Sequence, residues 1–151
     1  MLNKKQLKIL LQAVKNKSTE ISVLLALWLG LRQSEICGLQ WSHIDFDNSI
    51  MIIKQAIVRD KDDKDVIKTT KTYSSTRKLK VHKFIMDKIK NLPKKGDFII
   101  NIKGKSIYDA FKKVLRKNNL PDIRFHDLRI LNASIMLKLK VPDKYAQNFI
   151  T

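Results

Sequence analysis

Residues 21–28 are apolar on nearly every side of a predicted helix, and this stretch most constrains what the chain can fold into. A helix that is apolar all round must be covered by other elements, so we expect it at the centre of the hydrophobic core. Ser18 or Thr19 precedes the stretch and can cap its beginning. Gly30 follows it, and glycine favours the left-handed backbone in which helices end.

Helical periodicity recurs on both sides of this segment. Asn3 is a suitable N-cap for an amphipathic helix over residues 4–16, and a short helix is predicted from Gln33 to Gly38. Further helices are predicted at residues 83–92, at residues 106–118 with Ser106 as the cap, at residues 125–140, and from Pro142 onward.

Between these helices the pattern changes to that of β-strands. Apolar and β-branched residues cluster at residues 50–53, 56–58, 66–70 and 76–81. We predict a small three-stranded antiparallel sheet, with Lys71 in the turn that joins the last two segments. The predicted fold class is α+β, mainly α, and a length of 151 residues fits a single domain.

The charge balance indicates a polyanionic partner. The chain has 31 Lys and Arg against 14 Asp and Glu, which gives a formal net charge of +17. Such an excess favours binding to nucleic acid or to an anionic membrane. The alternative is that the lysines only keep the surface soluble and reflect a low-GC genome.

Several other classes of protein are disfavoured. The longest apolar run, residues 23–31, is about half of the ~20 residues needed to cross a bilayer, and the N-terminus has a helical pattern rather than that of a signal peptide. Cys37 is the single cysteine, so no internal disulfide and no CxxC metal pair can form, and we expect a buried, inert thiol. We expect no metal, no cofactor, no membrane contact and a cytoplasmic location.

Three separate groups of residues suit the binding of a phosphodiester. His126 and Arg129 are spaced i, i+3 at a predicted helix start, where amide donors also attract phosphate oxygens. Arg32 follows the glycine turn, and Lys71 lies in the predicted hairpin. Each group has a structural alternative. His126 and Arg129 would then be surface side chains of a capped helix, Arg32 would be a partner for Glu35, and Lys71 would be a solvated turn lysine.

The order and spacing of these groups resemble the catalytic domain of the tyrosine recombinase (phage integrase) family. The resemblance rests on Arg32 in GLRQSEI, Lys71 in TKTYSSTRKLKV and the FHDLR stretch that contains His126 and Arg129. Residues 39–45, LQWSHID, also resemble a segment of that family. Each motif is weak alone, but their ordered coincidence covers essentially the whole chain.

The resemblance implies DNA strand exchange through a 3′-phosphotyrosyl intermediate, without metal or ATP. Arg32 and Arg129 would hold the non-bridging phosphate oxygens, and Lys71 would protonate the leaving 5′-oxygen. His126 would donate a hydrogen bond to the phosphate or assist proton transfer, and Glu35 would orient Arg32. The family acts on double-stranded DNA and assembles as tetramers on paired sites, whereas we expect this chain alone to be a monomer.

The C-terminal part departs from the family pattern. Residues 130–134 read ILNAS where the family often has HTHAS, and no G-H/W motif or nucleophilic tyrosine follows. Tyr73, Tyr108 and Tyr145 have no motif resemblance to a nucleophile. We therefore expect an incomplete catalytic domain over residues 1–151, without N-terminal DNA-binding domains or the tyrosine segment, and inactive in cleavage as it stands. It would be an expressed fragment or the product of a decayed gene.

Basic residues outside the motifs are candidates for further DNA phosphate contacts, although a solvated face explains each equally well. These candidates are Arg77, Lys78, Lys80, Lys112, Lys113 and Arg116. The sequence leaves two other DNA-related functions open, a non-catalytic DNA-binding remnant of an integrase and a type IB topoisomerase-like domain, and also a basic helical scaffold protein. A phage or other mobile element of a low-GC bacterium is the expected source.

Overall fold

The computed structural model describes residues 1–69 and 76–138. The helices in this part are α1 (Lys4–Val14), α2 (Glu20–Leu29), α3 (Gln33–Cys37), α4 (Lys83–Lys90), α5 (Gly104–Lys117) and α6 (Asp127–Lys138). The strands are β1 (Ile44–Asp45), β2 (Ile50–Ile53), β3 (Gln55–Arg59), β4 (Asp65–Thr69) and β5 (Arg77–Lys80). The chain divides into two compact units, and in the described part these are residues 1–32 with 102–138, and residues 33–101.

The first unit is helical and is built around α2, as the sequence predicts. Residues 21–27 are all buried, and α2 packs against α1 and α6. Gly30 ends the helix in the left-handed conformation, with φ of 66°, and its N–H donates to the carbonyl of Ala26 at 3.1 Å. Thr19 occupies the N-cap position, but its side chain makes no capping hydrogen bond.

Helix α1 begins at the predicted cap. The Asn3 Oδ1 accepts from the Gln6 N–H at 2.8 Å, and the Asn3 N–H donates to the Gln6 Oε1 at 2.9 Å. This reciprocal capping satisfies two of the amides that a helix start leaves without intrahelical partners. The helix ends at Val14 rather than at the predicted residue 16, because Asn16 takes a left-handed backbone with φ of 62°.

The second unit contains the predicted three-stranded antiparallel sheet, but with different members. Its order is β1-β2-β5, with Met51 of β2 facing Leu79 of β5. Strands β3 and β4 form a separate two-stranded antiparallel ladder, in which Ile57 faces Ile67. The sequence pattern missed β1 because a strand of two residues is too short to show alternation.

The bounds of the later helices differ slightly from the prediction. Helix α5 begins one turn earlier than expected, with Lys103 rather than Ser106 in the N-cap position. Helix α6 begins at Asp127 and not at Phe125. The helix predicted from Pro142 lies outside the described residues. Within residues 1–69 and 76–138, no helix has both the length and the apolar character that a membrane span requires.

Candidate phosphate-binding site

One buried side chain joins the helices that lead to the two predicted arginines. The Asn132 amide of α6 donates to the carbonyls of Leu27 at 2.8 Å and Trp28 at 3.1 Å, in the last turn of α2. These carbonyls belong to the helix end that lacks intrahelical donors, so Asn132 caps it. Arg32 follows this end of α2, and Arg129 lies one turn before Asn132 on α6. Both arginines therefore extend from one junction within the first unit.

The two arginines differ in exposure. Arg129 is buried with 6% of its surface exposed, and its N–H donates to the carbonyl of His126 at 3.0 Å. Arg32 is exposed at the chain segment between α2 and α3. A buried guanidinium is held in one orientation by its surroundings, whereas an exposed one can adapt to a ligand.

The beginning of α6 is fixed by an acidic side chain in its first turn. Asp127 Oδ2 accepts from the Arg124 N–H at 2.8 Å, and Asp127 Oδ1 pairs with the Arg124 guanidinium at 2.9 Å. Hydrogen bonds from the Arg124 side chain and backbone lower the pKa of the Asp127 carboxyl below its ordinary value. His126 lies exposed at this helix start. An acidic side chain in the first turn also suits the positive end of the helix dipole.

Glu35 of α3 forms an ion pair within the second unit. Its Oε2 lies 3.0 Å from Nη1 of Arg77 on β5, and each side chain is only 10% exposed. The Nε and Nη2 groups of Arg77 have no hydrogen-bond partner within the described part of the chain. Arg77, which we expected at a DNA-contacting surface, is thus placed inside the unit. The predicted action of Glu35 on Arg32 stays a prediction.

The other residues predicted to contact DNA also differ in exposure. Lys112 is only 12% exposed in its side chain and forms an ion pair with Asp122, which is 84% exposed. Lys80 is exposed, and its Nζ donates to the carbonyl of Asn48 at 2.7 Å. The exposed members of the predicted set are therefore Lys78, Lys80, Lys113 and Arg116. Lys71 lies outside the described residues.

The described part of the chain has neither a reactive thiol nor a metal-binding cluster. Cys37 is buried, as predicted, and burial followed by the charge of Asp65 raises the pKa of its thiol to about 11. Such a thiol stays protonated at neutral pH and is a poor nucleophile. Residues 1–69 and 76–138 contain no cluster of His, Cys, Asp and Glu that could hold a metal ion.

The structure identifies one residue that the sequence reasoning did not select. Asn132 and Ser134 are the polar residues in an otherwise apolar stretch of α6, and Asn132 lies one turn beyond Arg129 on the helix. A buried amide at that place needs hydrogen-bond partners, which is a signal that could have been recognised. Its partners, the carbonyls of α2, could not be predicted without the fold.

The sequence is similar to those of known integrases and recombinases. Residues 1–150 match the model of the phage integrase family. A XerC-like tyrosine recombinase from Caldanaerobacter subterraneus subsp. tengcongensis is 25% identical over 170 residues, which cover 92% of this chain and 44% of that protein. The chain thus spans less than half the length of this curated relative.

Solved structures show the same fold. The Tn1549 transposon integrase, in a complex with transposon right end DNA, has a TM-score of 0.85 at 20% identity, covering 98% of this chain and 56% of the other. The catalytic core of lambda integrase has a TM-score of 0.68 at 20% identity, covering 98% of this chain and 88% of the other. Since the family model matches nearly its whole length, the chain belongs to the phage integrase family and has the fold of a tyrosine recombinase catalytic domain.

Proposed function

We propose that this chain binds double-stranded DNA and activates one phosphodiester for cleavage and rejoining through a 3′-phosphotyrosyl intermediate. The observation that carries the proposal is the junction of α2 and α6, where Asn132 joins the helix that carries Arg129 to the end of α2, which Arg32 follows. Two guanidinium groups suit a phosphate whose negative charge increases in the transition state. The similar Tn1549 integrase structure, which contains DNA, supports DNA as the partner.

The two arginines have complementary roles in this proposal. Arg129 is buried, so its guanidinium would be held in place before DNA arrives and would lose little freedom on binding. Arg32 is exposed and would close on the other non-bridging oxygen. His126 would donate a hydrogen bond to the same phosphate from the start of α6, where amide groups add positive potential.

Two further roles in this chemistry are those of the general acid and of the attacking tyrosine. Lys71 would act as the general acid for the leaving 5′-oxygen, and it lies outside the described residues. Tyr108, the tyrosine of the described part, lies on α5 with the Lys112 ammonium 5.5 Å from its ring centre. We assign phosphate activation to this chain and propose that none of its tyrosines is the attacking nucleophile.

Exposed basic residues would supply the part of the affinity that does not depend on sequence. Lys78, Lys80, Lys113 and Arg116 are exposed and can each neutralise a phosphate. Every such contact on duplex DNA adds about 0.9 to the slope of log affinity against log salt. Loss of one contact therefore lowers both the affinity and the salt dependence.

The proposal is tested by measuring DNA affinity as a function of salt for Arg32→Ala, Arg129→Lys and Lys113→Ala. We expect the two arginine variants to lose more affinity than Lys113→Ala, because they contact the activated phosphate. Arg129→Lys keeps the charge at a buried position, and its thermal unfolding checks that the fold survives. Equal losses at all three positions would favour the non-catalytic remnant and contradict the phosphate clamp.

A nicked suicide substrate tests the assignment of the nucleophile. Cleavage of such DNA traps a covalent protein–DNA adduct, because the short fragment beside the nick diffuses away. We expect no adduct from residues 1–151 alone. An adduct that survives denaturation would place a working tyrosine within this chain and overturn that part of the proposal.

A further inference from the structure

The segment of residues 118–126 connects α5 to α6 and ends at His126. It begins with two local hydrogen bonds, from the Asn118 side chain to the carbonyl of Val114 at 2.9 Å and from the Leu120 N–H to the carbonyl of Leu115 at 2.9 Å. These bonds fix the exit from α5. They do not fix the later residues, which determine how the chain enters α6.

Lys112 holds the later part of this segment. Its Nζ donates to the carbonyl of Ile123 at 2.8 Å and to Oδ1 of Asp122 at 2.6 Å. The same ammonium lies 5.5 Å from the ring centre of Tyr108. The hydrogen bond that Lys112 donates to Asp122, together with the charge of that carboxylate, raises the pKa of Lys112, so the ammonium form is retained. The Lys112 ammonium thus has two partners in the following segment, whereas its neighbour Lys113 is exposed.

Apolar packing reinforces the same segment. The ring of Phe111 meets that of Phe125 edge to face, with ring centres 5.4 Å apart, and Phe125 is only 3% exposed. Ile123 is 7% exposed. Adjacent residues of α5, Phe111 and Lys112, therefore fix the segment at two points immediately before His126.

We propose that Lys112 is a positioning residue, which holds the carbonyl of Ile123 and so sets the direction in which His126 and Arg129 leave the segment towards a bound phosphate. The inference rests on the proposed function of these two residues. Its basis is geometric: the anchored carbonyl lies three residues before His126, and displacements of about 1 Å can cost large factors in binding and rate.

The alternative role, a direct contact of Lys112 with DNA phosphate, predicts the opposite change in DNA affinity for the Asp122→Asn variant. Asp122→Asn removes an acidic group that is 84% exposed and makes the chain more positive. If Lys112 contacts DNA, freeing it from Asp122 should tighten binding. If Lys112 positions the segment, weakening its anchor should loosen binding despite the added positive charge. Asp109→Asn makes the same change of charge on α5 and is the matched control.

The experiment measures the affinity of the whole chain for a duplex oligonucleotide. We expect Asp122→Asn and Lys112→Met to bind about threefold to tenfold more weakly, Asp109→Asn to bind as tightly as the parent or more tightly, and Lys112→Arg to recover most of the loss. The loss from Lys112→Met should nearly disappear in a His126→Ala, Arg129→Lys background. Tighter binding by Asp122→Asn, or the same loss in both backgrounds, would overturn the proposal.

A second measurement separates this inference from the proposed function. Amide ¹H–¹⁵N spectra without DNA should show shifts at residues 124–129 in Lys112→Met and in Asp122→Asn, and not in Lys113→Met. Unshifted amides there would overturn the positioning role. Shifted amides in a chain that binds no duplex DNA would retain the positioning contact and refute the proposed function instead. Because Asp122 is exposed, its variant remains usable if Lys112→Met fails to fold.

Discussion

Two charge-rich connections of this chain are built differently: residues 118–126, which lead into α6, and residues 60–64, which join β3 to β4. In the first, Ile123 and Phe125 are buried, and Lys112 donates a hydrogen bond to the carbonyl of Ile123. In the second every residue is exposed. The exposed turn depends on local polar contacts, in which Oδ1 of Asp60 accepts the N–H groups of residues 62 and 64, each at 2.9 Å.

The difference shows what fixes a charged connection in place. An exposed ion pair contributes about 0–1 kcal/mol, since water and salt compete with it. Burial of aromatic and aliphatic side chains contributes several times more and also fixes their direction. Similar residue types therefore form two different connections. The turn in the second unit should tolerate substitution, whereas the segment before His126 and Arg129 in the first unit has a fixed conformation. Substitutions in both regions test this contrast.

The largest effect is expected from Phe111→Ala. Phe111 is fully buried and packs edge to face on Phe125, so the substitution removes this contact and leaves a cavity. We expect a loss of about 3–5 kcal/mol in the free energy of unfolding, measured by urea denaturation. Tyr108→Ala, at a position on the same helix that is 42% exposed, is the control and should cost far less. A similar cost for both would remove packing as the explanation.

The next effect concerns the first turn of α6. Asp127→Asn weakens the hydrogen bonds from Arg124 and should cost about 1 kcal/mol at neutral pH, as for other helix-start contacts. The folded-state pKa of Asp127 is lowered from 3.8, so the carboxylate contributes stability above pH 3.8 and loses it as the pH falls through the lower value.

Urea denaturation at pH 7 and at about pH 3 checks this expectation. The parent chain and Asp127→Asn should differ most at pH 7, and the difference should shrink as the pH falls below 3.8. Arg124→Ala should reduce the same pH dependence, because it removes the largest cause of the lowered pKa. A difference that is constant with pH would show that the carboxylate charge is not what stabilises the turn.

A smaller effect is expected in the exposed turn of the second unit. Arg59 lies 2.7 Å from Asp63 and 3.9 Å from Asp65, and the three side chains are 39%, 77% and 42% exposed. Arg59→Ala should cost at most about 1 kcal/mol, and added salt should shrink the difference from the parent chain. Urea denaturation at low and high salt measures it. A loss comparable to that of Phe111→Ala would abolish the contrast between the two connections.

Much of the fold could be predicted from local sequence signals. Asn3 and Gly30 mark helix ends by their own chemistry, and the apolar character of residues 21–28 places α2 in the core. The membership of the sheet could not be predicted, because β1 has two residues and its pairing with β2 depends on the tertiary fold. Periodicity identifies strands but not their partners.

The residue types of the candidate site could be predicted from the sequence. Their burial and their hydrogen-bond partners were harder to predict. The spacing of His126 and Arg129 identifies one helix start. Lys112 and Lys113 are adjacent and chemically identical, so no local pattern predicts that only Lys112 meets a carboxylate and a carbonyl of the following segment. The burial of Arg77 against Glu35 likewise depends on contacts between α3 and β5 that are distant in sequence.

The smallest effect comes from the two left-handed residues, one in each connection. Asn119 has φ of 52° and Asp63 has φ of 60°, a backbone conformation that glycine adopts without a Cβ penalty. Glycine relieves this strain but adds conformational freedom to the unfolded chain, so Asn119→Gly should change the free energy of unfolding by at most about 0.5 kcal/mol.

Asp63→Gly makes the same backbone change and also removes the pair with Arg59, so it should be the less favourable variant by a few tenths of a kcal/mol at low salt. Urea denaturation in high salt should bring the two values together. If Asn119→Gly is instead much more destabilising at every salt concentration, the side chain of Asn119 must hold the segment before His126, and the contrast between the connections then extends to their backbone turns.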